Sequence, residues 1–392
     1  MGPIVIAVCA AVACAVFAFG LERITSYHQQ NPLLALLLPA ILWLTRYSDP
    51  AFTNWLSRRL QTSADSISGL FLIPLCWLSH LGGASVGRES VAVHAGRSIA
   101  SLVASLLGSH KNTCRDSETE KQFNAGLLRT GIAAGFSALF GAPLSAFVFA
   151  YEWAPADEVQ NPVKDNTRKH FSAVDIGMTA FAAALSYILS VRFFGVVHNH
   201  FQIERHPFNQ QWFIFLVALG VCTFLLSGLH QSAGRVFIRF FSLFDQRPVL
   251  RVLIPSILLV LIFQLPETQK YKGLGVQLIQ NSLSAGPAAS VDVFEPLLKS
   301  LLTRFSLAAG FRGGEVTPLL AIGATLGAVL GSVLGISTQT AAAAGFPLIF
   351  AILFRVPLTG LVLTMEIFGF HQLLLTALPL LMFMLWSYPR QR

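Results

Sequence analysis

A segment in the first half of the chain is repeated without gaps in the second half. Residues 139–153 read LFGAPLSAFVFAYEW, and residues 353–367 read LFRVPLTGLVLTMEI. The aligned pairs that are identical are Leu139/Leu353, Phe140/Phe354, Pro143/Pro357, Leu144/Leu358, Val148/Val362 and Glu152/Glu366. Such self-similarity indicates two related halves, and we place the first at residues 1–200 and the second at residues 201–392.

A second pair of related segments lies upstream of each copy. GGASVGRESVAVHAG at 82–96 precedes the first copy, and GFRGGEVTPLLAIG at 310–323 precedes the second. Their alignment matches GRE at 87–89 with GGE at 313–315, so a glutamate follows glycine at an equivalent place in each half. Because an apolar run follows each glutamate, the pattern predicts two helices that begin at equivalent points of the two halves.

The composition of the chain indicates a membrane protein. Of the 392 residues, 54% are hydrophobic and 12% are charged, and the mean hydropathy is +0.62, which is too apolar for a soluble domain. Apolar stretches recur at 3–20, 32–45, 67–82, 97–108, 131–151, 172–191, 211–229, 250–264, 297–309, 318–336, 338–353, 356–368 and 371–387. Several fall short of the roughly 20 residues that a full span needs, which predicts half-helices and re-entrant pieces. The predicted fold is an all-α polytopic membrane protein whose two repeats have inverted topology, with the substrate site near the midplane.

The distribution of charge predicts the orientation of the chain. The net charge is +8, yet Lys and Arg lie in short loops between apolar segments, where they set topology and do not indicate a nucleic-acid partner. The 45–61 loop carries Arg46, Arg58 and Arg59 against Asp49, and the chain ends in YPRQR. We therefore expect cytosolic N- and C-termini and a first segment that is a retained span. The five cysteines show no paired spacing, which predicts no disulfide and no metal site.

The two glutamates after the glycines are candidate functional residues. A helix that begins inside a membrane presents unpaired amide hydrogens and a positive dipole end, an arrangement that binds anions. Glu89 and Glu315 lie at two such starts, and an acid inside a membrane is a functional candidate by default. The alternative is that the glycines serve close packing and the glutamates only cap helices or face water.

Four segments together resemble the signature segments of the CLC anion channels and antiporters, in the order of that family. They are GRES at 87–90, FGAPLSAFVFAYE at 140–152, GGEVTP at 313–318 and RVPLTGLVLTME at 355–366. The resemblance implies the CLC fold, with tilted and broken helices and two oppositely oriented halves around an anion site. It also implies a homodimer in the lipid bilayer, in which each subunit carries its own pathway, and one membrane domain without cytosolic CBS domains.

Departures from the chloride-selective pattern narrow the resemblance. Chloride-selective members carry Gly-Ser-Gly-Ile-Pro near the first broken helix, where this chain has ADSISGLF at 64–71, and Gly-x-Phe-x-Pro in the second half, where it has GEVTP at 314–318. The second change is similar to the fluoride/proton antiporter branch, CLC-F, whereas Ser90 stands where the family usually has Gly. The resemblance implies a secondary active transporter of the bacterial inner (cell) membrane, and not an enzyme, that exports cytosolic fluoride in exchange for protons.

The same resemblance implies roles for individual residues. Glu89 is expected to be the mobile glutamate that gates the pathway and carries the proton, and Glu315 a second acid that holds Glu89 through Thr317. Because fluoride is strongly hydrated, a site that removes its water must supply several hydrogen-bond donors. The further residues expected at the anion are Gly87, Arg88, Ser90, Val91, Gly314, Val316, Ser68, Phe71 and Tyr388. Fluoride and the proton are the expected substrates, and no cofactor is expected.

Several alternatives stay open at this point. One is a CLC-type chloride channel or chloride/proton antiporter with an unusual second-half motif, in which Glu152 is an internal proton acceptor. Another is a membrane hydrolase, because GASVG at 83–87 fits a nucleophile pattern with Ser85 as the nucleophile. Tyr388 also fits an interfacial aromatic anchor, and Ser68 fits an ordinary hydroxyl of a membrane helix. The polar linker residues His198, His200, Glu204 and His206 could chelate a metal, although their spacing matches no familiar zinc site.

Overall fold

The described part of the chain is helical throughout. The computed structural model describes residues 2–48, 65–108, 117–153, 172–196, 201, 203, 210–284 and 292–387. Within these ranges the chain forms sixteen α-helices and no strand. The prediction of an all-α membrane protein is therefore confirmed.

The helices follow one another with short connections. In the first half they are α1 (Gly2–Gln30), α2 (Leu38–Trp43), α3 (Asp65–Leu81), α4 (Glu89–Gly108), α5 (Ser117–Phe140), α6 (Pro143–Glu152) and α7 (Ala173–Arg192). In the second half they are α8 (Gln210–Ser242), α9 (Pro248–Ile262), α10 (Val276–Leu283), α11 (Glu295–Ala309), α12 (Val316–Val333), α13 (Thr338–Gly345), α14 (Leu348–Phe354), α15 (Pro357–Phe368) and α16 (Leu373–Ser387). Short 3₁₀ helices occupy Pro32–Leu37, Pro266–Tyr271 and Phe370–Gln372, and a π-helical turn occupies Leu44–Ser48.

The lengths of the helices agree with the predicted mixture of full spans and shorter pieces. Among the described residues, α1, α7, α8 and α12 are long and apolar enough to cross a membrane. The other apolar helices have 10–17 residues, too few for a full span at about 1.5 Å per residue. In the most apolar part of α12, 83% of the residues are buried, against 33% in α7 and α8. α12 is therefore a helix surrounded by protein, whereas α7 and α8 offer most of their surface to lipid.

The repeated segments adopt the same local conformation. α5 ends at Phe140 and α6 begins at Pro143, as α14 ends at Phe354 and α15 begins at Pro357. In each turn the residue after the phenylalanine has a positive φ, 75° at Gly141 and 58° at Arg355. Proline then occupies the first helical position, where its missing N–H costs no hydrogen bond.

Arg355 adopts a conformation that glycine tolerates better. It is exposed, and a non-glycine residue in the left-handed region costs roughly 1–2 kcal/mol, of which the flexibility of glycine in the unfolded chain offsets a part. We expect Arg355→Gly to raise the free energy of unfolding by about 1 kcal/mol, measured by thermal unfolding in detergent. Arg355→Ala is the control, because it removes the side chain and keeps the backbone strain. The explanation fails if the glycine variant is no more stable than the alanine variant.

Packing divides the described residues into two compact units. The first is drawn from Met1–Phe19, Ala51–Ile73 and Val91–His198, and the second from Gly20–Pro50, Pro74–Ser90 and Asn199–Arg392. The division passes within α1, α3 and α4, so it differs in kind from a boundary between sequence repeats. The assignment of residues 1–200 and 201–392 to the two repeats stays a prediction.

Small residues hold the first unit together. A Cβ atom on Gly96 of α4 would lie 2.1 Å from the carbonyl oxygen of Gly131 on α5, so the two backbones are in direct contact, as is common in membrane helix pairs. The Ser137 hydroxyl of α5 donates to the Ala183 carbonyl of α7 at 2.7 Å. The buried residues of this core are Ile6, Ala7, Ala10, Ile99, Ala100, Leu127, Ala134 and Ala182.

The second unit fixes the turn that leads into α12. Arg251 of α9, 4% exposed, donates to the carbonyls of Ala308 and Ala309 at 3.1 and 3.0 Å, which satisfies two of the unpaired carbonyls at the end of α11. Gly310 then ends the helix with a φ of 118°, a common helix C-terminal conformation. The turn over residues 311–315 follows directly, so its position is set by the end of α11.

Candidate functional site

The turns that precede α4 and α12 lie side by side. The N–H of Gly87 donates to the Gly314 carbonyl at 2.5 Å, and the N–H of Gly314 donates to the Gly87 carbonyl at 2.8 Å, forming an isolated antiparallel bridge. The N–H of Arg312 donates to the Ser79 hydroxyl at 3.0 Å, which ties the second turn to the end of α3. The two segments that the sequence aligns as repeats are therefore joined at their glycines.

Three glycines allow this close approach. A Cβ atom would lie 2.7 Å from Pro318 Cδ if placed on Gly87, 2.6 Å from Val86 Cβ if placed on Gly313, and 2.6 Å from Ser90 Oγ if placed on Gly314. Non-bonded atoms are normally about 3.5–4.0 Å apart. The packing role that was an alternative for the glycines is thus real, and it is what brings the two helix starts together.

Glu89 places its carboxylate at the start of α12. The side chain is 3% exposed, and its Oε2 accepts the N–H of Thr317 at 3.2 Å and the Thr317 hydroxyl. The backbone N–H and the Nε of Arg88 each lie 3.3 Å from a carboxylate oxygen. Because Thr317 is in the first turn of α12, the carboxylate lies at the positive end of that helix dipole. A negative group thus occupies a position that suits an anion.

The carboxylate of Glu315 has different partners. Arg304 Nη1 donates to Oε1 at 3.1 Å and to Oε2 at 2.9 Å, and His230 Nε2 lies 3.1 Å from Oε2. Although Glu315 immediately precedes α12, its side chain does not cap the helix. The hypothesis that Glu315 holds Glu89 through Thr317 is met in one part, since Thr317 binds Glu89. The Glu315 carboxylate itself faces α11 and α8.

The neighbours of the two glutamates lie close to the bridge. Val316, 2% exposed, begins α12, and Val91, 1% exposed, lies in the first turn of α4. The Arg88 side chain is 28% exposed, so it reaches from the carboxylate of Glu89 toward the surface. The structure therefore brings Gly87, Arg88, Glu89, Ser90, Gly314, Glu315, Val316 and Thr317 to one place.

Three other predicted residues are not joined to this place by the structure. Ser68 and Phe71 lie on α3 within the first unit, and both are partly buried. Tyr388 lies outside the described residues, as do His198, His200, Glu204 and His206 of the linker. Their roles stay predictions.

Ser85 lies in a buried network that does not suit a nucleophile. It is 0% exposed, and its hydroxyl contacts Thr303 Oγ1 at 3.2 Å and Lys299 Nζ at 2.9 Å. Lys299 also donates to the carbonyls of Tyr271 and Gly273 at 3.0 and 2.7 Å. A nucleophilic serine must expose its oxygen to substrate, whereas this hydroxyl is enclosed by hydrogen-bonding partners. The geometry therefore argues against the hydrolase alternative.

Sequence reasoning missed three charged or titratable residues beside the glutamates. Arg304 and His230 pair with Glu315, and Lys299 is fully buried in the same unit. One signal was available, because Lys, Arg and His within apolar segments are functional candidates by the same argument as the acids. Their partners, however, come from helices far apart in sequence.

Comparisons with known proteins agree with this geometry. The profile of the voltage gated chloride channel family matches residues 61–388. The chain is 29% identical over 384 residues to a chloride/fluoride channel protein of Pseudomonas syringae pv. tomato, covering 93% of this chain and 78% of that protein. It is 26% identical over 322 residues to the H⁺/Cl⁻ exchange transporter ClcA of Yersinia pestis bv. Antiqua, covering 78% of this chain and 62% of that protein.

Solved structures give the same result. The crystal structure of a CLC-type fluoride/proton antiporter superposes with a TM-score of 0.80 at 26% identity, covering 99% of this chain and 94% of that chain. A slow cyanobacterial Cl⁻/H⁺ antiporter superposes with a TM-score of 0.68 at 19% identity, covering 100% and 94%. The prediction of the CLC fold is confirmed. With a family match over most of its length, this chain belongs to the voltage-gated chloride channel (CLC) family of membrane proteins.

Proposed function

We propose that this chain is a fluoride/proton antiporter that exports cytosolic fluoride in exchange for protons, with Glu89 as the mobile gate. The observation that carries the proposal is the contact of the Glu89 carboxylate with the N–H and hydroxyl of Thr317 at the start of α12. Support comes from the GEVTP sequence at 314–318 and from the chloride/fluoride channel protein and fluoride/proton antiporter that the chain resembles.

Competition for one positive helix start gives a mechanism for exchange. An ionised Glu89 and a bound anion both need the donors of Thr317, so only one of them occupies the helix start at a time. A proton that binds Glu89 removes its charge and weakens its hold on those donors. The protonated side chain then swings to a water-filled side and releases its proton there, while an anion takes the vacated donors. Each cycle moves the anion and the proton in opposite directions.

The donors at this site favour fluoride over chloride. Fluoride is a small ion that accepts strong hydrogen bonds, and an ion stripped of its water loses several kcal/mol per missing partner. The Thr317 hydroxyl, the Thr317 amide and a protonated carboxyl together provide such donors. Hydrogen bonds to a charged acceptor are roughly twice as strong as neutral ones, and the smaller ion accepts them better.

The wider setting of the proposal follows the family. We place the protein as a homodimer in the bacterial inner membrane with both termini in the cytosol, each subunit carrying its own pathway. Ser68, Phe71 and Tyr388 stay proposed contributors to the anion pathway. They await a structure with a bound halide, in which each of them either touches the ion or does not.

Transport measurements on the unmodified protein test the proposed function. Proteoliposomes loaded with fluoride or chloride are expected to release fluoride faster, with simultaneous proton uptake that lowers the internal pH. A fluoride-selective electrode, a chloride-selective electrode and a pH-sensitive dye inside the vesicles record the three fluxes, with protein-free vesicles as the control. Chloride flux greater than fluoride flux would instead support the CLC-type chloride channel or chloride/proton antiporter.

A further inference from the structure

A buried histidine joins Glu315 to two residues of α11. His230 of α8 is 1% exposed. Its Nε2 lies 3.1 Å from the Glu315 carboxylate, and its Nδ1 lies 2.8 Å from the hydroxyl of Ser300. Arg304 completes the group by donating to the same carboxylate. We call these four residues, His230, Ser300, Arg304 and Glu315, the histidine cluster.

The partners of the ring suit both of its protonation states. The carboxylate of Glu315 only accepts hydrogen bonds while it is ionised, so Nε2 carries a hydrogen in either state. The hydroxyl of Ser300 can donate to a bare Nδ1 or accept from a protonated Nδ1. Addition of a proton to His230 therefore requires the hydroxyl hydrogen to rotate and no heavy atom to move.

The charge balance changes when the ring gains a proton. With a neutral ring, the charges of Arg304 and Glu315 cancel, and with a protonated ring the cluster has one positive charge. The helices packed against α8 are α9, α11, α12, α14 and α16, of which the described residues of α12, α14 and α16 carry no charged side chain. Lys299 of α11 and Arg251 of α9 are bound to other partners.

The cluster is in a position to act on the anion site. Glu315 immediately precedes α12, and Thr317, two residues later, binds the Glu89 carboxylate. The Glu315 and Arg304 side chains are 28% and 20% exposed, so a proton has a polar route to the buried ring. A positive charge gained at His230 therefore arises next to the helix start that binds negative groups, where it stabilises an anion.

We infer that His230, held between Glu315 and Ser300, is a second proton-binding residue of the pathway, and that its protonation strengthens anion binding at the start of α12. The inference rests on the proposed function, because it assigns a second proton to the same anion site. The coupling is reciprocal, since an anion bound at α12 must strengthen proton binding at His230 by the same factor. His230 acts on the anion by charge and by the position it gives to Glu315, without touching it.

The test removes the proton of Glu89 so that only the second proton is measured. Anion binding to the Glu89→Ala protein in detergent is titrated calorimetrically with sodium fluoride from about pH 8 to about pH 5, the range over which histidine changes charge. The dissociation constant is expected to fall by about fivefold or more, the lower end of typical coupling between two sites. In Glu89→Ala/His230→Gln the constant is expected to stay unchanged with pH, because glutamine keeps a donor toward Glu315 and cannot gain a proton.

The outcomes separate this inference from the proposed function. Equal pH dependence in the two proteins would overturn the role of His230. Binding of chloride in place of fluoride would overturn the proposed substrate and leave the same comparison to be made with chloride. Should the histidine variant fail to fold, Glu89→Ala/Ser300→Ala replaces it. Loss of the hydroxyl that accepts the added hydrogen is expected to shift the change in affinity to lower pH, and an unshifted profile would count against the inference.

Discussion

Replacement of Glu89 by glutamine is expected to abolish proton-coupled transport. The glutamine amide keeps the shape of the side chain, and its oxygen can still accept the Thr317 N–H that the carboxylate accepts at 3.2 Å. It has no negative charge to compete with the anion and no proton to deliver. Loss of a positioned proton-transfer group commonly costs 10²-fold or more, so proton flux should fall by about a hundredfold. The pH-sensitive dye and the fluoride-selective electrode in proteoliposomes measure the two fluxes together.

Glu152 provides the matched control for this variant. It is the last residue of α6, in the region where chloride/proton relatives are expected to hold an internal proton acceptor. Under the proposed function, Glu152→Gln keeps both the fluoride flux and the proton flux of the unmodified protein. Proton coupling that survives in Glu89→Gln and disappears in Glu152→Gln would transfer the proton-carrying role to α6 and favour the chloride/proton alternative.

The repeat and the helix starts could be predicted because both are local features of the sequence. The gapless alignment at 139–153 and 353–367 identified two turns that share a positive φ and a proline at the helix start. Glycine before an acid, followed by an apolar run, identified α4 and α12. A repeat also implies that equivalent segments have equivalent environments, which is why the pairing of Gly87 with Gly314 was within reach.

The partners of the two glutamates could not be predicted in the same way. Thr317 was expected near Glu89 from the family resemblance, but nothing in the spacing relates Glu315 to His230, which lies 85 residues earlier. Ion pairs of this kind depend on which helices pack together, and a single sequence does not fix that packing. The two acids therefore looked equivalent in sequence and differ in structure, since one is bound by a helix start and the other by Arg304 and His230.

Gly314→Ala is expected to separate the two helix starts and stop transport. The added Cβ would lie 2.6 Å from the Oγ, 2.7 Å from the Cβ and 3.0 Å from the backbone N of Ser90. Because the paired turns are buried and hydrogen-bonded to each other, the methyl group cannot be accommodated by side-chain motion alone. Overpacking of this kind typically costs about 1–3 kcal/mol. We expect a lower unfolding temperature in detergent and little fluoride flux in proteoliposomes.

The identity of the clashing atoms provides a second-site test of this geometry. In Gly314→Ala/Ser90→Gly the Oγ and Cβ of Ser90 are absent, and the backbone N at 3.0 Å is the remaining close contact. The double variant should therefore regain part of the stability and flux that Gly314→Ala loses, while Ser90→Gly alone should cost less than about 1 kcal/mol, the helix penalty of glycine. Non-additivity of this sign is expected only for residues in contact. If the two substitutions simply added, the paired turns would not have the spacing described, and the place of Glu89 at the start of α12 would have to be reconsidered, because that place depends on the same close approach.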